Sequence, residues 1–172
     1  MFQIGEVVSY GAAGICTIED IRMEALSRNG LKKQEYYILR PIATPTCTTY
    51  VPTGNELLTA KMRRLLNKEQ IDRMILSLSG TRLEWIEDIR RRSETYGKIL
   101  EKGISAELLS LISCLYLQKQ AFKKCGKKLC ATNEKLLSSA ERMVSEEFSY
   151  ALQIPKNQVS AYIAEKLDST PV

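Results

Sequence analysis

The feature that most constrains the fold is a change in hydrophobic patterning near residue 67 of this 172-residue chain. Before that point, short apolar and β-branched runs are separated by turn-forming residues, which is typical of β-strands. After it, apolar residues recur at the three- and four-residue spacing of amphipathic α-helices. The sequence therefore predicts an α+β fold with one domain at residues 1–66 and a second at residues 67–172.

The N-terminal part predicts five short strands. Residues 35–42 are predicted to form the strongest of these strands. Residues 46–52 are predicted to form another, which ends at a proline that cannot donate to a strand ladder. A hairpin-like turn is predicted at residues 27–30, and residues 60–65 are predicted to form the last strand. Five short strands in about 65 residues favour a small, strongly bent antiparallel β-barrel.

The C-terminal part predicts an all-helical bundle of about five helices. Asn67 with Gln70 forms a capping box at the start of the first helix. Thr81 is predicted to cap the second helix, which Gly103 stops, and Ser105 is predicted to cap the third. A bundle of about 100 residues is long enough to bury a core of its own.

Several functional classes are disfavoured by what the chain lacks. It contains no histidine, so neither a Ser-His nor a Cys-His dyad can form. Its five cysteines are odd in number and irregularly spaced, which predicts reduced thiols and fits no tetrahedral zinc site. No pair of carboxylates is placed for general acid–base chemistry. We therefore expect a protein that is not an enzyme, with no cofactor, no metal and no small-molecule substrate.

The chain also carries no pattern for membrane insertion or secretion. No apolar run reaches the roughly 18 residues that a membrane-spanning helix needs. The N-terminus has neither the basic nor the apolar region of a secretory signal. We expect a soluble cytoplasmic protein without a membrane partner.

The net charge of +5 is concentrated in the middle of the chain. Residues 82–128 carry 11 Lys/Arg and 6 Asp/Glu, whereas residues 129–172 carry 4 and 6. Flexible cations clustered on one surface are suited to binding phosphate groups. The alternative is a solvated basic helix face. The candidate phosphate ligands are Arg90, Arg91, Arg92, Lys119, Lys123, Lys124, Lys127 and Lys128.

The lone tryptophan, Trp85, permits two interpretations. If exposed among these cations, it would suit insertion into a DNA minor groove. However, helical spacing predicts one shared face, which would place the tryptophan in the core. The residues on that face are Trp85, Ile89, Arg92, Tyr96, Ile99 and Leu100. The sequence alone leaves both interpretations open.

Seven motifs carry a resemblance to a known family. In chain order they are FQIGEVVSYGAAGICTIEDI, KQEYYILRPI, TTYVP, MRRLLNKEQ, WIEDIRRRSETYGKILEKG, LYLQKQAFKKCGKK and AERMVSEEFSYALQIPKNQVSAYI. Their order resembles that of the CarD/CdnL family of bacterial transcription regulators over nearly the whole chain.

The resemblance implies a fold and a function. It implies a Tudor-like N-terminal domain that binds the β subunit of RNA polymerase, like the corresponding domain of the transcription-repair coupling factor. It also implies a helical domain that contacts promoter DNA at the upstream edge of the transcription bubble. A tryptophan there holds the minor groove open and stabilises the open complex.

The sequence departs from the family pattern at two places. Better-known members carry Trp-x-Arg-Arg-Tyr, and alignment on Arg91 and Arg92 puts Ile89 rather than Trp85 at the wedge position. Tyr50 stands where other members carry arginine in the last long strand. Polymerase binding would then depend on backbone pairing by that strand, as in β-augmentation. The candidate polymerase-binding residues are Thr46, Thr48, Tyr50, Val51 and Pro52.

The function predicted from the sequence is a transcription regulator that bridges RNA polymerase and upstream promoter DNA. Contacts to the DNA backbone and minor groove would have little sequence specificity. The alternative is an adaptor that binds polymerase or another protein without contacting DNA.

Overall fold

The computed structural model describes residues 2–26, 33–78 and 83–168. The chain divides into two compact units, Met1–Leu65 and Leu66–Val172. The first unit contains a five-stranded antiparallel sheet, and the second is helical. The predicted α+β class is confirmed. The hairpin-like turn predicted at residues 27–30 lies outside the described residues.

The sheet of the first unit has the strand order β4-β3-β2-β1-β5. The fifth strand, predicted at residues 60–65, forms over a shorter range, and a single helical turn, α1, precedes it. Among the described strands β4 and β5 are the two edges of the sheet, so closure into a barrel stays a prediction. The elements are β1 Val7–Tyr10, β2 Ile15–Glu24, β3 Gln34–Pro41, β4 Thr49–Pro52, α1 Glu56–Thr59 and β5 Met62–Arg64.

One face of this sheet is dry because alternate side chains of each strand point to the same side. Tyr37 and Leu39 of β3 and Val51 of β4 belong to its core, together with Ile18 of β2. The register between β2 and β3 shifts between Ile18 and Asp20, which marks a β-bulge that bends the sheet.

The strand predicted at residues 46–52 is shorter in the structure. It begins at Thr49, and the residues before it form a turn in which the Cys47 N–H donates to the Thr44 carbonyl at 3.0 Å. Arg40 stabilises this turn, because its Nη1 donates to the Pro45 carbonyl at 2.5 Å. These contacts fix the turn, whereas the local sequence gives only a β-branched run.

The second unit contains five of the six α-helices found in the described residues. A 3-10 turn at Lys156–Gln158 precedes the last helix. The helices are α2 Lys68–Ser77, α3 Ile89–Lys102, α4 Ser105–Lys124, α5 Ala131–Leu152 and α6 Val159–Asp168.

Two of the predicted helix boundaries are confirmed, and a third is wrong. The capping box at the start of α2 is present, with both bonds between Asn67 and Gln70 at 2.9 Å. Gly103 ends α3 in the left-handed conformation, with φ 66°. Ser105 does not cap α4; Ile104 occupies that position, and the buried Ser105 hydroxyl donates instead to Glu147 on α5 at 2.5 Å.

The predicted start of α3 is also wrong, because residues 83–88 are not helical. The helix begins at Ile89, and the Asp88 side chain caps it by accepting the Arg91 N–H at 2.7 Å. Trp85 therefore precedes the helix and does not share a helical face with Tyr96. Thr81, the predicted cap, lies outside the described residues.

The core of the second unit combines residues from all five of its helices. Tyr96, Leu111, Leu115 and Phe148 are fully buried within it. Within the described part of the chain, none of the helices combines the length and apolarity that crossing a membrane requires.

A partly buried ionic contact ties α6 to α2. The Tyr162 hydroxyl donates to Asp72 Oδ1 at 2.5 Å, and Lys166 Nζ lies 2.9 Å from Asp72 Oδ2. Burial raises the pKa of Asp72, but the hydrogen bonds from Tyr162 and Lys166 outweigh it and hold the pKa below its ordinary value. A depressed carboxyl pKa stabilises the fold above the pKa of the unfolded state, and that stabilisation is lost as pH falls through the folded-state pKa.

We predict that Asp72→Asn lowers the free energy of unfolding by about 1–2 kcal/mol at pH 7. The deficit relative to the unsubstituted chain should shrink below pH about 4, where an unperturbed carboxylate is protonated. Thermal denaturation followed by circular dichroism from pH 7 to pH 3 measures both values. Glu94→Gln is the control, because Glu94 pairs with Lys98 on an exposed surface. A deficit that stays constant with pH would contradict an ionic tie.

Candidate functional site

The outer edge of β4 in the first unit is the first candidate surface. The Thr53 N–H donates to the Glu35 carbonyl at 2.9 Å, so these two residues form a hydrogen-bonded pair of the antiparallel ladder. Hydrogen-bonded and non-hydrogen-bonded pairs then alternate along β4. Val51 and Thr49 consequently direct their backbone groups toward β3. Tyr50 directs its N–H and C=O away from β3, toward the open edge.

Tyr50 dominates this edge. Its side chain is 39% exposed, and its ring packs edge-on against Tyr36 with centroids 6.2 Å apart. Pro52 has no N–H, and its carbonyl accepts the Asn55 N–H at 3.1 Å. Tyr50 is therefore the residue of β4 that presents both a donor and an acceptor to an incoming strand.

The other polymerase-binding candidates occupy different environments. Thr46 and Thr48 are exposed, but Thr46 lies in the turn before β4 and Thr48 lies between that turn and the strand. Val51 is fully buried in the sheet core. The structure thus groups Tyr50 and Pro52 at the edge and places Val51 behind them.

Arg22 is a cation on the same face of the sheet that sequence reasoning missed. The register aligns Arg22 with Tyr36 and Tyr36 with Pro52, so these side chains share the face that carries Tyr50. Arg22 is held by Glu24 at 2.7 Å and by Asp20 at 3.3 Å. Identifying Arg22 as part of this face requires the register of β2 on β3, which the sequence of a short strand does not specify.

In the second unit, Trp85 links the start of α3 to the end of α4. The guanidinium carbon of Arg92 lies 4.2 Å from the centroid of the Trp85 ring, and the ring of Phe122 meets Trp85 edge-on at 6.1 Å. Trp85 is partly buried and packs against the helical core. The first turn of α3 and the last turn of α4 therefore lie at the same end of this unit.

Arg92 is a buried structural cation. It is 7% exposed, and its Nη1 donates to the carbonyls of Ile86 at 2.6 Å and Glu87 at 3.0 Å. These bonds satisfy backbone acceptors in the non-helical segment that contains Trp85. Arg92 thereby fixes the segment against α3 rather than presenting its charge to solvent.

Tyr96 holds the same non-helical segment, residues 83–88, through its hydroxyl group. Its fully buried hydroxyl donates to the Glu84 carbonyl at 3.3 Å, accepts the Ile86 N–H at 3.4 Å and lies 3.5 Å from Cys114 Sγ. Burial, followed by the contact with Cys114, raises the pKa of Tyr96 to about 12. The phenol is therefore a neutral hydrogen-bonding group at physiological pH.

The end of α4 exposes a compact group of cations. Gly126, at φ 69°, closes the helix as its N–H bonds the Lys123 carbonyl at 3.1 Å and the Lys127 N–H bonds the Phe122 carbonyl at 2.8 Å. This is a Schellman arrangement, which turns the chain sharply and satisfies the last carbonyls. We call the four exposed lysines around this turn the lysine cluster: Lys123, Lys124, Lys127 and Lys128.

The remaining predicted phosphate ligands divide into two groups. Arg90 and Arg91 are exposed in the first turn of α3. Lys119 is paired with Glu134 of α5 at 2.9 Å. Among the described residues, the ion pairs do not include Arg90, Arg91 or any member of the lysine cluster. These six side chains keep their charge available at one end of the unit.

Ile89 is an apolar residue in the midst of these cations. It is 71% exposed and directly precedes Arg90 and Arg91. Helical periodicity assigned Ile89 to the same face as Trp85 because it placed both on one helix. The Asp88 cap separates them, so that Trp85 packs inward and Ile89 points to solvent.

The side chains exposed at these surfaces are aromatic and cationic groups of the kind that make contacts with partners. In the described ranges, no group of three or more His, Cys, Asp or Glu side chains converges as metal ligands would. An open strand edge beside an aromatic pair is a feature that protein-interaction modules use in β-augmentation.

Residues 2–66 match the family model of the CarD-like/TRCF RID domain. The match covers the first unit, which is therefore similar to the CarD-like/TRCF RID domain, and it does not extend to the second unit. This similarity suggests a transcription-related function that involves interaction with RNA polymerase. No curated protein matches the chain by sequence comparison.

We predict that Arg92→Ala lowers the free energy of unfolding by about 2–3 kcal/mol, because it strands two backbone carbonyls and uncovers a face of Trp85. The tryptophan emission should also shift to longer wavelength as the ring becomes wetter. Urea denaturation followed by fluorescence measures both effects.

Arg91→Ala is the matched control for that substitution. The Arg91 side chain is exposed, and its backbone N–H keeps its bond to Asp88, so the change should stay within about 0.5 kcal/mol. Equal losses for the two variants would show that Arg92 has no structural role.

Proposed function

We propose that this chain is a transcription regulator whose sheet unit binds the β subunit of RNA polymerase and whose helical unit contacts upstream promoter DNA. The DNA contact stabilises the open complex. The family of the first unit carries the polymerase half of the proposal. The exposed cations at one end of the second unit carry the DNA half.

The polymerase contact is β-augmentation at the edge of β4. A strand added there pairs with the N–H and C=O of Tyr50, since the other backbone groups of β4 face β3 or are already bonded. One residue offers few main-chain bonds, so side chains must supply more of the affinity. The Tyr50–Tyr36 pair and Arg22 provide aromatic and cationic groups of the kind enriched at interface hot spots.

The DNA contact is a phosphate grip by the lysine cluster with Arg90 and Arg91. These side chains are exposed and are not part of the ion pairs among the described residues. Each phosphate neutralised releases counterions, so binding is expected to weaken steeply with salt and to depend little on sequence. Lys119 contributes less, because Glu134 already pairs with it.

Of the two apolar candidates for the minor groove, exposure favours Ile89. Isoleucine is among the side chains that proteins insert between base steps. Ile89 lies at the start of α3 beside Arg90 and Arg91, whereas the Trp85 ring is occupied by Arg92 and Phe122. Trp85 supports the site by fixing the helix start, and insertion of Trp85 itself would require loss of both ring contacts.

Partial burial of Trp85 also suits the second candidate function, an adaptor that binds polymerase or another protein without touching DNA. The two functions differ in one measurable property. An adaptor does not use the exposed cations to bind phosphates, so the affinity of the chain for duplex DNA would be negligible at physiological salt.

We predict that Tyr50→Pro weakens binding to RNA polymerase at least about tenfold more than Tyr50→Ala does, because proline also removes the outward-facing N–H. The substitution spares the β3–β4 ladder, since that N–H does not face β3. Biolayer interferometry with purified bacterial RNA polymerase measures the affinities.

Tyr50→Phe is the conservative control for this edge and should bind within about threefold of the unsubstituted chain. Circular dichroism establishes that the proline variant keeps its sheet. Equal affinities of the proline and alanine variants would argue against β-augmentation at Tyr50.

We predict that Lys124→Gln combined with Lys127→Gln reduces the slope of log affinity against log salt by about 1.8, or about 0.9 for each phosphate that is no longer neutralised. Fluorescence anisotropy with a labelled promoter duplex, at salt concentrations from about 50 to about 300 mM, provides the slope. Lys98→Gln is the matched control, because Lys98 is an exposed helical lysine already paired with Glu94.

The same assay extended to promoter opening tests the role of Ile89. Ile89→Ala should leave the salt slope unchanged and lower the open-complex signal of 2-aminopurine placed at the upstream edge. Negligible affinity of the unsubstituted chain for duplex DNA would leave the adaptor as the function, whereas a measurable but salt-insensitive affinity would contradict the phosphate grip.

A further inference from the structure

Two exposed thiols lie within the lysine cluster. Cys125 is the C-terminal cap of α4 and Cys130 is the N-terminal cap of α5, and both are exposed. The connection between the two helices thus presents two sulfur nucleophiles to solvent, five positions apart. Neither the polymerase contact nor the phosphate grip uses them.

The surroundings of these thiols are strongly cationic. Residues 119–133 contain five lysines and no Asp or Glu. Lys119 is paired with Glu134, but the four members of the lysine cluster are exposed and flank both cysteines. Clustered cations raise the local concentration of small anions and accelerate their encounters, an effect that salt suppresses.

The other three cysteines of the chain have different surroundings and serve for comparison. Cys47 is also exposed, but residues 41–55 around it carry no charged side chain. Arg40, which donates to the carbonyl of Pro45 in that turn, is already paired with Glu19. Cys16 and Cys114 are buried, and burial raises the pKa of Cys16 to about 11.

We propose that Cys125 and Cys130 form a thiol modification site for anionic low-molecular-weight disulfides of the glutathione class. In each exchange the cysteine loses its proton, and its sulfur attacks one sulfur of the reagent. A new S–S bond forms as the S–S bond of the reagent breaks, and the departing thiolate takes up a proton. The protein thiol is oxidised and half of the reagent is reduced, so no further reactant is needed, and excess thiol reverses the step.

The modification has a consequence that rests on the proposed function. Each glutathione adduct carries a net negative charge into the lysine cluster. Because the phosphate grip depends on that cationic field, two adducts weaken binding to DNA. Oxidation of the cellular thiol pool would thereby release the helical unit from promoter DNA without affecting the edge of β4.

The site is tested with the full chain and two disulfide reagents. The dianion 5,5′-dithiobis(2-nitrobenzoate) should react faster with a thiol that is surrounded by cations. The neutral reagent 2,2′-dithiodipyridine reports how accessible each thiol is, independently of charge. Cys47→Ser reports on Cys125 and Cys130, and the double variant Cys125→Ser/Cys130→Ser reports on Cys47. The measured quantity is the rate with the dianion divided by the rate with the neutral reagent.

We expect this ratio to be about tenfold larger for Cys125 and Cys130 than for Cys47 at about 20 mM salt, and the difference to fall to about twofold or less at about 500 mM. Adding Lys124→Gln and Lys127→Gln to the Cys47→Ser chain should lower the ratio toward that of Cys47. Equal, salt-independent ratios for the two variants would overturn the proposal.

A second measurement separates this inference from the proposed function. The Cys47→Ser chain is treated with oxidised glutathione, adducts are counted by mass spectrometry, and affinity for duplex DNA is measured before and after dithiothreitol. We expect a loss of about five- to tenfold that the reductant restores. If the reagent ratios hold but the untreated chain does not bind DNA, the proposed function fails and the thiol site stands. If the untreated chain binds DNA and the adducts leave its affinity unchanged, the regulatory consequence is wrong.

Discussion

The helical unit depends on one buried interaction, the contact of the Arg92 guanidinium with the Trp85 ring and with two backbone carbonyls. A guanidinium that stacks on an aromatic face while it donates to fixed acceptors is held in a single orientation. The contact orders residues 83–88, although they have no helical hydrogen bonds of their own. Together with the Tyr96 hydroxyl, it determines where α3 can begin.

The α3 side of the candidate DNA surface follows from that start point. Because α3 begins at Ile89 rather than earlier, the first turn of the helix presents Ile89, Arg90 and Arg91 to solvent. The Trp85–Phe122 contact brings this turn to the end of α4, where Gly126 turns the chain and exposes the lysine cluster. Trp85 is a candidate for insertion into the minor groove by its sequence context. In the structure its ring packs against Arg92 and Phe122 and holds the two helix ends of the candidate DNA surface together.

In the sheet unit, the open edge of β4 also depends on a small number of groups. A strand edge attracts any extended chain, and proteins usually limit such edges with proline, charge or short strands. β4 has only four residues, and Pro52 removes one donor, so that Tyr50 alone presents both backbone groups. A short edge of this kind offers few main-chain hydrogen bonds, so the proposed pairing would depend also on contacts with the Tyr50–Tyr36 pair.

The local sequence determined the class of fold and several boundaries. Asn67, Gly103 and Gly126 act through their own backbone or through a side chain three residues away, so their effects could be read without knowledge of the fold. The aromatic and β-branched composition of β3 and the helical spacing after residue 67 are local in the same sense. The basic character of residues 82–128 follows directly from composition.

Only the tertiary structure decided which of the predicted functional residues are available. Arg92 and Arg91 are neighbours of identical type, yet one is buried by carbonyls and a ring and the other is exposed. Lys119 is paired by Glu134 from another helix, and Tyr50 faces an open edge because the register with β3 makes it so. Each of these outcomes depends on a partner distant in sequence or on strand register, and neither is encoded in the local pattern of residues.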